Sequence, residues 1–401
     1  MDFANLGSKH VMVVTDPNLT SLRPVTVATQ SLAAAGVKYT LYDQVRVEPN
    51  DASFMDAIGV AKSSNFDAFL AVGGGSVIDT AKAANLYSHY PDADLLTFVN
   101  APIGEGQLVP GPVKPLIAIP TTSGTGSETT GVSIFDYTPL GAKTGISSKF
   151  LRPTLGIVDP LNNLSAPREV KVAAGFDVLC HALESYTAIP YNRRSPRPTN
   201  PAARPAYQGS NPASDVWVQH ALKIMNEFFV RSVEDPEDME ACEQMALAAA
   251  YAGVGFGNAG VHLPHGMSYS VSGLNKGWKH PGYPVDHNIV PHGVSVILNA
   301  PAVFKYTAPT NPGRHIHAAG LLGADVANVT EEDAGLVLAD TIKSYMSMMG
   351  VPEGLSAIGY SASDVPALVE GALPQRRVLN IAPNPPAAED LHRIYEDALT
   401  F

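Results

Sequence analysis

In the segment AGFDVLCHALESY, Asp177 and His181 stand four positions apart among mostly apolar neighbours. At 3.6 residues per turn, two such side chains stack on one helix face and reach a common point. A carboxylate in apolar surroundings is costly unless it is paired or bound to a cation, and neutral imidazole is among the commonest metal ligands. The spacing therefore predicts a divalent metal held in part by one helix. Further ligands are offered by GVHLPHGMSYSVSG and IVPHGVSV, where His265 and His292 each precede a glycine at an expected helix start. His262 and His287 compete with them on the same grounds. Cys180 lies between the helical pair but points about 100° away from His181, so it reads as a core thiol. An Asp and three His suit iron(II) and zinc alike.

A second kind of chemistry is suggested nearer the N-terminus. FLAVGGGSVIDTAKAANLY reads as strand, glycine turn and helix start. Gly73, Gly74 and Gly75 let backbone N–H groups approach an anion, and Ser76 opens a helix whose positive end favours phosphate. A dinucleotide pyrophosphate would fit, although a tight structural turn has the same look. PTTSGTGSETT, from Pro120 to Thr130, follows another strand and supplies hydroxyl and N–H donors without bulk; a Ser/Thr turn is the plainer reading. Asp16 in VVTDP closes the first strand, where an acid can accept from a ribose 2′-hydroxyl and repel a 2′-phosphate. An Asx turn before Pro17 is the alternative.

These groups need rigid elements to hold them. KHVMVVTD, VKYTLYD, FDAFLAVGGG, KPLIAIPTT, GVSIFDY and TLGIVDP alternate with helical patterns through the first 160 residues. That rhythm predicts a Rossmann-like, mainly parallel α/β domain over residues 1–160. From about Arg168 the pattern turns to long apolar or amphipathic helices, such as EACEQMALAAAYAGVGFG and EEDAGLVLADTIKSYMSMMG, which predicts an all-helical domain over residues 161–401. The seam near Asp159 and Pro160 is an expected place for ligands. Two long loops interrupt the helical half. One, Pro190 to Pro212, carries Arg193, Arg194, Arg197 and Arg204 with no acidic residue, a composition suited to holding a substrate carboxylate or to a solvated loop. The other ends at Pro291 and contains Lys276 and Lys279, alternative carboxylate partners.

The chain has 401 residues, 45% of them hydrophobic and 16% charged, the balance of a folded enzyme. A formal net charge of −12 argues against nucleic acid or an anionic membrane as partner and favours small molecules. Two cysteines point to a reducing, intracellular compartment. No apolar run approaches the roughly 20 residues of a membrane span, and the first residues have neither a signal-peptide nor a transit pattern.

Taken in order, GGGSVIDTAKA, PTTSGTGSE, GFDVLCHALE, HGMSY and PHG resemble the signature segments of the iron-containing (group III) alcohol dehydrogenases, from about Lys9 to the C-terminus. NAPIG, RPAYQGSNP, GFGNAGVHLPHGMSY and VDHNIVPHG are similar to the hydroxyacid-oxoacid transhydrogenase branch of that family. By this resemblance Asp177, His181, His265 and His292 are the metal ligands, with iron preferred. Gly74, Gly75 and Ser76 form the pyrophosphate loop, and Asp79 of the same motif counts with the cofactor-binding residues. Thr121, Thr122 and Ser127 form the second nucleotide loop, Asp16 is the ribose acid, and Lys143 in AKTGISS stands close to the cofactor. There are three departures. Tyr269 replaces a histidine that many members place beside the nicotinamide, and the interval from His265 to His292 is longer than in the simple alcohol dehydrogenases. The chain also begins without the stretch that precedes VMVVTD in the family.

The activity implied is metal-assisted hydride transfer through bound NAD(H), from a hydroxyacid such as 4-hydroxybutyrate to a 2-oxoacid such as 2-oxoglutarate. Its rivals are an NAD-dependent alcohol or 4-hydroxybutyrate dehydrogenase that releases NADH, and a non-catalytic metal and nucleotide binder. A homo-oligomer is compatible with the resemblance. The expected location is the mitochondrial matrix if the source is eukaryotic and a transit segment precedes the chain, and the cytoplasm otherwise.

Overall fold

Alternate residues of the first and third apolar runs belong to different cores. Met12, Val14, Phe69 and Ala71 enter one cluster, and Val11, Val13, Ala68, Leu70 and Val72 enter another. This is the two-residue period of strands covered on both faces. The computed structural model, which describes residues 2–201 and 204–401, divides into two compact units, Met1–Pro167 and Arg168–Phe401. The contacts thus part a few residues beyond the Asp159–Pro160 seam.

The first unit runs α1 (Asp2–Asn5), β1 (His10–Val14), α2 (Arg23–Ala34), β2 (Lys38–Tyr42), α3 (Asp51–Lys62), β3 (Ala68–Gly73), α4 (Gly75–His89), β4 (Leu116–Pro120), β5 (Val132–Tyr137), β6 (Ala142–Ser147) and β7 (Leu155–Gly156). Its sheet has the order β2-β1-β3-β4-β7, with every pairing parallel. Because β1 pairs with both β2 and β3, the winding direction reverses there, and the carboxyl ends of β1 and β3 flank the switch point at which open α/β sheets bind ligands. GVSIFDY, read as part of the parallel rhythm, instead forms β5 of a separate antiparallel hairpin with β6. β6 is AKTGIS, whose central glycine and single β-branched pair give little strand signal.

The second unit contains α5 (Arg168–Thr187), α6 (Pro212–Glu234), α7 (Met239–Ala259), α8 (Leu263–Gly273), α9 (His292–Ile297), α10 (Ala300–Thr307), α11 (Pro312–Leu321), α12 (Ala334–Met349), α13 (Val365–Ala372), α14 (Arg376–Leu379) and α15 (Ala388–Asp397). Local chemistry sets their ends. Asn211 caps α6 by accepting from Ser214 N–H at 3.0 Å, with Pro212 in the first turn, and Gly350 in the left-handed region ends α12. α5 is buried almost throughout its second half and packs against α6, α7 and α9. A helix surrounded in this way has no polar face to spare, so its Asp177, His181 and Glu184 must be satisfied inside. Among the described residues no helix is long and apolar enough to cross a membrane.

Candidate metal centre and nucleotide loops

Positions 177, 181 and 184 of α5 form one stripe, and α8 and α9 bring their first residues to it. Three imidazole nitrogens surround one oxygen: Asp177 Oδ1 lies 3.3 Å from His265 Nε2, 3.5 Å from His181 Nε2 and 3.7 Å from His292 Nε2. Ligand atoms of Asp177, His265 and His292 all lie within 4.8 Å of one another. Four donors bound at about 2.0–2.1 Å around a tetrahedral ion stand about 3.3 Å apart; the three distances from Asp177 Oδ1 are close to that, while His181 lies outside the mutually close group. Asp177 Oδ1 and His265 Nε2 are buried without a hydrogen-bond partner. Buried polar atoms left in that state call for a ligand, and these donors fit a divalent ion.

The charges agree. Burial would raise the Asp177 pKa, but His181, His292 and His265 hold it well below the usual carboxylate range. Burial opposes protonation of His265, yet the carboxylates of Glu184 and Asp177 lift its pKa to about 9. Glu184, fully buried, accepts from His265 Nδ1–H at 2.6 Å and from His262 N–H at 2.6 Å. It therefore fixes the tautomer that points His265 Nε2 inward. Phe256 stacks on His181 with ring centroids 3.9 Å apart. His292 is the ligand candidate left partly open, its side chain 28% exposed.

Sequence reasoning missed Glu184, although its position seven residues after Asp177 on the same stripe is the signal that finds it. The competing histidines fall elsewhere. His262 places Nε2 2.9 Å from Thr187 Oγ1, and His287 sits in the second loop with Nδ1 3.3 Å from Asp286. Cys180 is a core residue whose thiol pKa burial pushes well up; Cys242 is buried too.

Gly293 follows His292 because nothing larger fits: a Cβ there would lie 1.8 Å from the Ala173 carbonyl oxygen of α5. The arginine-rich loop is closed at its base by a bridge between Pro190 and Ser210. Arg194 donates to the Tyr207 carbonyl at 2.6 Å, Arg197 to the Arg194 carbonyl at 3.2 Å and Arg204 to the Pro198 carbonyl at 3.4 Å. Arg193 is exposed. Three of the four guanidinium groups are thus engaged with the loop's own backbone, and Lys276 pairs with Asp364.

In the first unit, Asp16, Gly74 and Gly75, and Thr121 and Thr122 follow the carboxyl ends of β1, β3 and β4. A Cβ on Gly75 would lie 2.5 Å from Thr125, so the two glycine loops touch. Asp16 Oδ1 accepts from Asn18 N–H at 2.8 Å. The Asx turn is real, and it leaves acceptor capacity because a carboxylate carries two oxygens. Asp79, Ser127 and Lys143 are set deeper. Ser127 Oγ donates to Asp79 Oδ1 at 2.6 Å, Ile134 N–H to Asp79 Oδ2 at 2.9 Å, and buried Lys82 to Ser127 Oγ at 2.6 Å and to the Val132 carbonyl at 2.7 Å. Asp79 and Ser127 hold the second loop to α4. Lys143 lies 2.9 Å from Glu48 and 3.0 Å from Asp136, carboxylates that outweigh burial and raise its pKa.

A family model described as iron-containing alcohol dehydrogenase matches residues 1–160, and the C-terminal model of the Fe-containing family matches residues 206–399. Over 399 residues, all of this chain, it is 57% identical to the mitochondrial hydroxyacid-oxoacid transhydrogenase of Xenopus laevis, covering 86% of that protein. The human protein of the same name is 56% identical, with 85% of it covered. Among solved structures, a 1,3-propanediol oxidoreductase superposes with a TM-score of 0.85 at 25% identity, over 99% of this chain and 94% of its own. An alcohol dehydrogenase from Oenococcus oeni gives the same score, identity and coverage.

Proposed function

Since the chain belongs to the iron-containing alcohol dehydrogenase family, we propose that it is a metal-dependent hydroxyacid-oxoacid transhydrogenase working through bound NAD(H). The observation that carries the reading is the convergence of three imidazole Nε2 atoms on Asp177 Oδ1, together with full-length identity to relatives of that name. Asp177, His181, His265 and His292 would hold the ion, iron(II) on the family's preference and zinc on donor chemistry alone. A divalent ion in that set supplies Lewis acidity toward a hydroxyl or carbonyl oxygen.

The chain's own groups do the rest. Glu184 keeps the His265 proton at Nδ1, which leaves Nε2 a lone pair at any pH where the ligands are loaded. Phe256 covers one face of His181 and keeps water from it. Tyr269 gives this chain no imidazole one turn beyond His265, so a histidine relay is not part of the reading. On the first unit, the N–H groups opening α4 would donate to a pyrophosphate, with Thr122 beside them and Asp16 accepting from a ribose hydroxyl. NAD(H) held there would supply a hydride acceptor for the hydroxyacid and a hydride donor for the oxoacid, so that one substrate would be oxidised as the other is reduced. On the names of the relatives, the same proposal places the enzyme in mitochondria if the source is eukaryotic.

The test uses purified, desalted protein loaded with iron(II) and given 4-hydroxybutyrate and 2-oxoglutarate without added nucleotide. Many turnovers of 2-hydroxyglutarate per protein support the reading. Product only with added NAD, with NADH accumulating when the oxoacid is left out, makes the protein a dehydrogenase that releases its cofactor. No reaction with metal and nucleotide both bound leaves a non-catalytic binder.

A further inference from the structure

A partly buried cation of the second unit lacks a carboxylate partner among the described residues. Arg377, on α14, buries its Nη1 without a hydrogen-bond partner, and among the described residues no carboxylate pairs with it. Its Nη2 lies 3.4 Å from the Tyr269 hydroxyl, and its guanidinium carbon sits 5.0 Å from the centre of the Tyr207 ring. A guanidinium stays charged at every pH the fold survives, and a buried charge with no partner is strongly destabilising. Two tyrosines and a ring face relieve only part of that.

The neighbourhood ties this group to the metal centre. Tyr269 lies one helical turn beyond His265 on α8, about 6 Å between Cβ atoms. Val378 and Leu379, the residues after Arg377, press on Gly266, where a Cβ would come within 3.1 and 2.7 Å of them. Tyr207 and Val378 share a small apolar cluster with Phe256, the ring stacked on His181. Arg194 holds the Tyr207 backbone from the arginine-rich loop. That loop supports the ring under Arg377, and three of its arginines, Arg194, Arg197 and Arg204, are committed to its backbone.

We propose that Arg377, backed by Tyr269 and Tyr207, is the subsite for the substrate carboxylate, a binding group that selects hydroxyacids and oxoacids over neutral alcohols at the metal centre. The inference rests on the transhydrogenase reading above. Guanidinium N–H groups would donate to the carboxylate oxygens in a fork, giving the buried charge the partner the protein does not supply.

The test compares 4-hydroxybutyrate with 1,4-butanediol, which has the same carbon chain and no charge, in wild type, R377Q, R377K and the loop controls R197Q and R204Q, all loaded with iron(II) and NAD. The ratio of kcat/KM for acid over diol should fall 10- to 100-fold in R377Q, mainly through KM, and less in R377K, while the loop variants keep it. Glutarate, which has carboxylates but no reacting oxygen, should raise the Tm of the wild type and not of R377Q. A ratio unchanged in R377Q, or lost in the loop variants instead, overturns the subsite. If R377Q does not fold, R377K decides, since it keeps the charge without the fork and an unchanged ratio there also overturns it. A wild type that oxidises the diol but neither binds glutarate nor turns over the acid refutes the transhydrogenase reading itself, a different failure.

Discussion

At the scale of single residues, the centre separates ligands from the groups that aim them. Asp177→Ala should abolish bound metal and activity together while helical circular dichroism persists; metal retained at wild-type level would return Asp177 to a structural role. Glu184→Gln should act more mildly. It removes the charge that orients His265 and should weaken metal affinity about 10- to 100-fold, measured by competition with a chelator. Asp16→Ser should relax the preference for NAD over NADP, because it removes the charge that repels a 2′-phosphate; an unchanged ratio of kcat/KM values would leave Asp16 to its Asx turn. How much of this was legible depended on locality. Asp177 and His181 declare themselves within one turn of helix. The choice between His262 and His265 did not, because it turns on the entry into α8, where His262 is the residue before the helix and faces Thr187 while His265 is inside it. Arg377 was invisible in sequence: its meaning lies in a missing partner, and the conspicuous charges sat in the loop instead.

At the scale of elements, the close approach of α9 to α5 puts His292 in range of Asp177. Gly293→Ala must move that contact, since its Cβ would meet the Ala173 carbonyl oxygen at 1.8 Å. Overpacking of this kind costs about 1–3 kcal/mol, and the Tm should fall along with metal content. Gly313→Ala on α11 is the control, because its Cβ enters open space and should leave both close to wild type. The strand pattern of the parallel sheet was readable because strands buried on both faces are continuous apolar runs. The hairpin was not, because β6 has a glycine at its centre and a β-branched residue on either side of it, so its identity as a strand comes from pairing with β5. Likewise, the roles of Asp79 and Ser127 follow from a bond across 48 residues that no local pattern reveals.

For the whole molecule, acid should act through a buried histidine that is not among the candidate ligands. His315 donates from Nδ1 to the Asn311 carbonyl, and its Nε2 is hydrogen-bonded to the Thr307 hydroxyl, each at 2.9 Å. Burial lowers its pKa from 6.5 to about 4. Below pH 6.5 the unfolded chain therefore takes up a proton that the folded one refuses, and stability falls with pH until about 4, by about 3 kcal/mol over the full window. Urea melts at pH 7.5 and 5 should show a loss that His315→Gln reduces; equal losses would assign the acid sensitivity to other groups. The two buried thiols have a use of their own. Both belong to the second unit, with Cys180 between two candidate ligands on α5 and Cys242 on α7. An alkylating reagent can reach them only when that unit opens, so its uptake is a clock for breathing of the helical half and is silent about the first unit. Adding the metal should stop the clock at Cys180 before it slows the one at Cys242, turning two inert side chains into built-in reporters of where ligation stiffens the fold.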